Sequence, residues 1–335
     1  MFARCLISVF LIYGASFGQQ QNGSASESWK QHMDLAKQLA ARGQYADAKS
    51  EYEAALRAVS ELPNDGRAFL SRLGLGSVAA ATGQYTEAEQ WDNEAVREGI
   101  ELYGKDAPGL AIPYGNLAGL YRDQEDYARA EEFARLAVRL ISRQQPPVPA
   151  AEAELLGSLG GILSARGNFD EAESVLQQSI GIAEELPGSS DILAAGWSNL
   201  AGVYTRTGRM KEALALYERA RDVYNGAGDR NNPNLFFILS GIASIEGASG
   251  SYTLAVDSIE SAIQRAEAGG SADTLQVRNA LLAEATWLHK LKRDKEAKRV
   301  LAKARQVARA ASHHSYGQYT VDAREVAQTM VDRAK

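Results

Sequence analysis

Gly83-Gln-Tyr85-Thr-Glu-Ala88 decides how this chain is read, because the same string keeps returning. It stands earlier as Gly43-Gln-Tyr45-Ala-Asp-Ala48, and later as Gly167-Asn-Phe169-Asp-Glu-Ala172 and Gly250-Ser-Tyr252-Thr-Leu-Ala255. Gly208-Arg-Met210-Lys-Glu-Ala213 keeps the frame with Met in the aromatic slot. Glu125-Asp-Tyr127-Ala-Arg-Ala130 and Lys292-Arg-Asp294-Lys-Glu-Ala297 keep it without the glycine. Successive copies lie 40, 42, 42, 41, 42 and 42 residues apart. Self-similarity at such a period marks an array built by stacking one small unit seven times, which grows without enlarging a single core.

Each unit reads as two helices, so the chain is predicted to be all-α. Upstream of the glycine runs an apolar stretch with helical spacing, as in Trp197-Ser-Asn-Leu200-Ala201-Gly-Val203-Tyr204 and Tyr114-Gly-Asn-Leu117-Ala118-Gly-Leu120-Tyr121. The glycine permits the left-handed turn at a helix C-terminus. The second helix then carries Ala48, Tyr52 and Ala55 at i, i+4 and i+7, a spacing that Ala213, Tyr217 and Ala220 repeat. The alanine after the turn is present in all seven units, where a larger side chain would overpack a close helix contact. All eight prolines fall by this frame between one second helix and the next first helix, where helices stop or begin. Asp92 is read as a polar position of its second helix, where replacement by alanine should do little.

These residues carry a resemblance. Leu, a small residue, Tyr, Gly, Tyr, Ala, Tyr and Ala in this order resemble the tetratricopeptide repeat. The period of about 42 looks like the long repeats of kinesin light chains, most clearly in Leu102-Tyr-Gly-Lys-Asp-Ala-Pro108 with Asn116-Leu-Ala-Gly-Leu-Tyr121. The resemblance covers residues 29–311 and implies a right-handed α-solenoid of seven helix pairs, whose first helices line a concave groove. It also implies binding of a protein or peptide partner and no catalysis. In such domains an asparagine at the register of Asn116 and Asn199 hydrogen-bonds the ligand backbone, since an amide donates and accepts at once. The other reading of these two side chains is that they only bridge neighbouring helices, and on sequence alone the two stand side by side.

Two residues after Leu117 the repeat register carries Lys37, Ser77, Gly119, Gly161, Gly202, Ser244 and Thr286. Six of the seven are small, which opens a trough; Asn116, Gly119, Gly161, Asn199 and Gly202 are therefore the candidate partner-binding residues. The positions that hold Lys or Arg in binders of chaperone tails fall on Met33, Leu73, Gly115, Gly157, Ser198, Ser240 and Leu282. All are uncharged, so a clamp for a terminal carboxylate is not expected.

The ends are different material. Arg4, the apolar run Cys5–Tyr13 and the small residues Ser16 and Gly18 have the layout of a secretory signal, with cleavage after Gly18. The run is about half the ~20 residues a spanning helix needs. Residues 1–18 are thus expected to be removed on export to the periplasm or outside the cell. Gln19–Ser28 is expected to be a flexible polar leader. The only cysteine, Cys5, lies inside the signal, so the exported chain has no disulfide. No later stretch is apolar and long enough to cross a bilayer. After Ala311 the period stops, and Val326, Ala327, Met330 and Val331 share one stripe, so residues 312–335 are expected to form a capping helix.

Composition narrows the function. A net charge of −6 with interspersed signs offers no basic field for nucleic acid. No Gly-Lys-Ser/Thr phosphate loop appears, and no cofactor is expected. The four histidines, His32, His289, His313 and His314, have no carboxylate at metal-ligand spacing and no nucleophile turn beside them, so neither a metal site nor a catalytic triad is expected. Glu246 and Glu284 stand in frame where Tyr and Leu stand elsewhere. A buried carboxylate of that kind can mark function, but the preferred reading is structural, with the acid snorkelling to solvent or pairing where the terminal repeats are irregular. The chain is thus expected to be a non-catalytic scaffold of the cell envelope. A subunit docking into an envelope complex through its outer faces is the alternative. An α-helical hydrolase is less favoured, because the frame supplies no pair of acids at a working separation.

Overall fold

The computed structural model describes residues 23–62, 65–226, 232, 234–268 and 275–312. The expected export signal, residues 1–18, lies outside them, as does the expected capping helix beyond Ser312. Among the described residues there are fourteen α-helices in seven antiparallel pairs. They are α1 Gly23–Ala41 and α2 Tyr45–Ala58; α3 Arg67–Ala81 and α4 Tyr85–Tyr103; α5 Ala111–Asp123 and α6 Tyr127–Ile141; α7 Pro149–Ala165 and α8 Phe169–Glu184. Then follow α9 Ser190–Arg206 and α10 Met210–Gly226; α11 Asn234–Ala248 and α12 Tyr252–Ala268; α13 Leu275–Lys290 and α14 Asp294–Ser312. The chain is an all-α solenoid. Two compact units divide it, the first ending inside α7 at Ile162 and the second beginning at Leu163.

The repeated string is the turn inside each pair. Gly43, Gly83, Gly167, Gly208 and Gly250 have φ between 73° and 86°. In each turn the residue after the glycine donates its N–H to the carbonyl five residues back, as Gln84 does to Ala79 at 2.8 Å and Arg209 to Tyr204 at 2.8 Å. This bond closes a Schellman end and satisfies a carbonyl that the helix leaves open. The two units without glycine carry a strain instead: Glu125 and Lys292 stand at φ 63° and 62°, a conformation costing a side-chain-bearing residue about 1–2 kcal/mol. Glu125→Gly is therefore expected to stabilise the chain by about 0.5–1 kcal/mol, after the extra unfolded-state entropy of glycine is subtracted. A urea midpoint equal to or below wild type contradicts this.

The alanine after the turn lies where the pairs close. Ala48, Ala88, Ala130, Ala172, Ala213 and Ala255 are fully buried, and Ala297 is 6% exposed. In the first unit Tyr114 and Tyr121 stack on Phe133 with centroids 5.9 and 5.5 Å apart, and Tyr121 and Phe133 are fully buried. In the second unit the buried stripe of α10 is Ala213, Tyr217, Ala220 and Tyr224.

Three expectations need correction. Residues 23–28 are not a leader, because α1 already begins at Gly23. Ala25 and Glu27 are good helix formers and nothing after Gly23 breaks the turn. Trp29 then fixes the helix, its indole N–H donating to Ser71 Oγ at 3.0 Å. Pro113 is not between helices but in the first turn of α5, where its missing N–H is one the helix would leave unpaired anyway. Asp92 is not a position where alanine would do little: it is 1% exposed and accepts a hydrogen bond from Asn116.

Candidate functional site

In the first unit, Asn116 and Gly119 lie on α5, where the whole run Ala111–Tyr121 is buried. Asn116 is 9% exposed, and its Nδ2 donates to Asp92 Oδ1 at 2.8 Å. It therefore joins α5 to α4 of the preceding pair, while its Oδ1 has no hydrogen-bond partner among the described residues. Asp92 in turn lies against Gly76 of α3, where a Cβ would come within 2.8 Å of its carboxylate. Burial pushes the Asp92 carboxyl well above the usual carboxylate range, against the opposing pull of the Asn116 bond. Gly161, on α7, is half-buried.

One register explains this contact. Nine residues after the turn position stand Tyr52, Asp92 and Tyr217; nine before the next turn position stand Gly74, Asn116 and Gly241. A Cβ on Gly74 would come within 2.4 Å of the Tyr52 ring, and one on Gly241 within 2.3 Å of the Tyr217 ring. A large inward side chain on a second helix thus faces a missing side chain on the next first helix. Asp92 and Asn116 fill the same space between them and bond across it.

A polar pin recurs at the repeat junctions. Tyr121 Oη donates to Glu89 Oε1 at 2.7 Å, with Arg129 4.1 Å over the Tyr121 ring. In the second unit Tyr204 Oη donates to Glu173 Oε1 at 2.9 Å. Arg209 lies 3.6 Å over that ring and pairs with Glu173 at 2.8 Å. The tyrosine four residues before the turn is therefore not only a core aromatic. Its hydroxyl ties each of these first helices to the second helix of the pair before it.

In the second unit Asn199 and Gly202 are half-buried on α9. A Cβ on Gly202 would stand 3.7 Å from Tyr217 Oη, an ordinary contact, so this site tolerates a side chain. The first helices that follow expose apolar groups: Phe237 on α11 is 52% exposed and Leu282 on α13 is 41% exposed. Ser244 and Thr286 on the same two helices are exposed as well. The repeat pattern by itself does not single out Phe237 and Leu282; Leu282 falls on the register of Ser240, whereas Phe237 stands three residues before that register.

Of the two frame-breaking acids, Glu284 does not snorkel. It is 5% exposed, and burial together with the nearby Glu260 pushes its carboxyl up to about 7. Lys303 and Arg293 pull it the other way. Glu246 is half-buried, and its Oε2 has no hydrogen-bond partner among the described residues. Among the described residues no group of three or more His, Cys, Asp and Glu is placed to hold a metal ion. No helix among them is long and apolar enough to cross a membrane.

Comparison with known proteins agrees with this geometry. The kinesin light chain-related protein 1 of Arabidopsis thaliana is 23% identical over 195 residues, covering 57% of this chain and 32% of its own. The human O-mannosyl-transferase TMTC1 is 30% identical over 149 residues, covering 44% of this chain and 15% of its own. The chain thus matches less than a third of the length of these two curated relatives. Among solved structures, apo RapI aligns with a TM-score of 0.64 at 15% identity, over 85% of this chain and 99% of that one. The apo quorum sensor NprR from B. thuringiensis aligns with a TM-score of 0.58 at 13% identity, over 84% and 87%. Tetratricopeptide repeat matches span residues 67–142, 151–226 and 192–268, so the chain belongs to the tetratricopeptide repeat family.

Proposed function

We propose that this protein is a non-catalytic scaffold of the cell envelope, exported with cleavage after Gly18, whose first-helix face binds a partner protein or peptide. The observation that carries the reading is the exposure of Phe237 and Leu282 beside small or short polar neighbours on α11 and α13. Large apolar side chains left in water on two successive first helices offer anchors for a partner. Half-buried Asn199 and Gly202 lie on α9 of the same unit, where an amide and an open floor suit an extended backbone.

The test is capture from envelope extract on the immobilised mature protein, with mass spectrometry of what is retained. Phe237→Ser and Gly202→Arg are expected to weaken the captured complex at least tenfold with circular dichroism unchanged. Loss of a buried aromatic anchor alone is worth about 2 kcal/mol or more. Asn199→Ala removes a hydrogen bond of about 0.5–1.5 kcal/mol and is expected to weaken it less. Glu131→Ala and Arg219→Ala, on second helices, should bind as wild type. If these two weaken the complex while the first-helix variants bind normally, the partner docks on the outer faces and the protein is an assembly subunit. N-terminal sequencing of the exported protein should begin at Gln19; an intact Met1 removes the export claim.

A further inference from the structure

The last helix pair departs from the charge balance of the rest. The chain as a whole has a net charge of −6, yet residues 288–312 hold nine Lys and Arg against Asp294 and Glu296. Both acids are engaged within this stretch: Asp294 pairs with His289 at 2.7 Å, and Glu296 with Arg293 at 2.8 Å. Lys303 pairs with Glu267 of α12 at 2.5 Å. Lys295, Lys298 and Arg305 are exposed and, among the described residues, in no hydrogen bond or ion pair. With exposed Arg299 they form one stripe of α14, about 15 Å long. Ala297, Ala304 and Val307 are buried on the opposite side of the helix.

Solubility explains why these positions are polar, not why they share one sign. In inner repeats the register of Lys298 meets the next first helix, as Glu89 and Glu173 do in accepting from Tyr121 and Tyr204. That register holds an acid in three of the other six repeats, and a cation only at Lys49. The register of Arg305 is apolar in five of the other six, Arg221 being the exception. The period stops after α14, so polar residues here are what the end of an array requires. Acids serve that purpose at least as well as cations. The helix itself gains nothing from the choice. Lys295 and Arg299 are like charges at i, i+4, and Lys295 lies in the first turn, where the helix dipole favours an acid.

A stripe of one sign that weakens its own helix answers a charge outside the chain. Protein interfaces are depleted in Lys and anchored by aromatic or large apolar groups. Between its cations this stripe exposes only Ala302 and Gln306. A plane of phosphates needs neither an anchor nor a matching shape. Clusters of Lys and Arg on one helix face are drawn to anionic lipid, and the attraction acts within a Debye length.

We propose that the exposed stripe of α14 docks the protein on an anionic membrane surface, its lysines and arginines meeting lipid phosphates. The contact is peripheral, since the apolar side of α14 packs on Ala285 and Leu288 of α13. The choice of lipid over nucleic acid rests on the envelope reading above.

The test is co-sedimentation of the mature protein with vesicles of phosphatidylcholine alone, or of phosphatidylcholine and phosphatidylglycerol in equal parts. Binding is expected only with phosphatidylglycerol, and should fall as salt is raised. Lys298→Gln with Arg305→Gln should weaken it at least tenfold, at about fivefold for each cation. Lys298→Arg with Arg305→Lys, which keeps both charges, should bind as wild type. So should Lys211→Gln with Arg221→Gln, an equal change of net charge on α10. Equal binding to both kinds of vesicle, or a neutralised α14 that binds phosphatidylglycerol as wild type does, would overturn the docking surface. Tighter binding of duplex DNA or polyglutamate than of the anionic vesicles, at one salt concentration, would overturn it too and assign the stripe to another polyanion. None of these outcomes touches the export claim, which N-terminal sequencing decides separately.

Discussion

Ala213→Trp is expected to lower the stability of the chain by about 3 kcal/mol, read as a drop in melting temperature and an earlier urea midpoint. Ala213 is fully buried at the start of α10, where that helix closes on α9. Tyr217 and Ala220 continue the same stripe. Cores at native density have no void for an indole, so the added atoms must push the paired helices apart or force neighbouring side chains off their rotamers, at typically about 1–3 kcal/mol or more. In a repeat array each unit is held only by its neighbours, so separating one pair also weakens the next contact along the chain. Glu218→Ala, exposed one position after Tyr217, should change stability by less than about 0.5 kcal/mol. Equal melting temperatures for Ala213→Trp and wild type would falsify the repeat frame.

Asp92 yields the second large effect, and its sign depends on the replacement. Asp92→Ala removes the acceptor of the Asn116 bond and leaves a buried donor and a gap, so a loss of about 2–3 kcal/mol is expected. Asp92→Asn keeps the shape and an acceptor for Asn116 but has no acid to ionise, and it should stabilise the protein at pH 7 by about 1–3 kcal/mol. The pH dependence follows from linkage. The folded-state pKa of Asp92 lies above the unfolded value. Below the unfolded value the acid is protonated in both states and costs nothing. As pH rises past it, the unfolded chain releases the proton first, so stability falls until the folded-state pKa is passed. Urea midpoints between about pH 4 and 8 should therefore decline more steeply in wild type than in Asp92→Asn. Parallel slopes would mean that Asp92 ionises as freely folded as unfolded.

How far the sequence reaches is clear from these residues. The recurring turn string, by itself, determined seven helix pairs, the place of the turn inside each and the buried alanine in every pair. These depend on local rules: a left-handed residue ends a helix, and a 3.6-residue period puts i, i+4 and i+7 on one face. The same rules misjudge what lies between repeats. Its charge argues for an outward Asp92, although its register is that of Tyr52 and Tyr217. Only the packing of α4 on α5 shows that Asp92 and Asn116 occupy the space that a tyrosine and a glycine fill at other junctions. The candidate groove residues divide likewise: Asn116 and Gly119 are buried within the first unit, whereas Asn199 and Gly202 keep some of their surface. Whether a polar side chain meets solvent, a partner or nothing is set by residues in the neighbouring repeat, such as Asp92 for Asn116. Periodicity places a side chain on a face; only tertiary contact decides what that face touches.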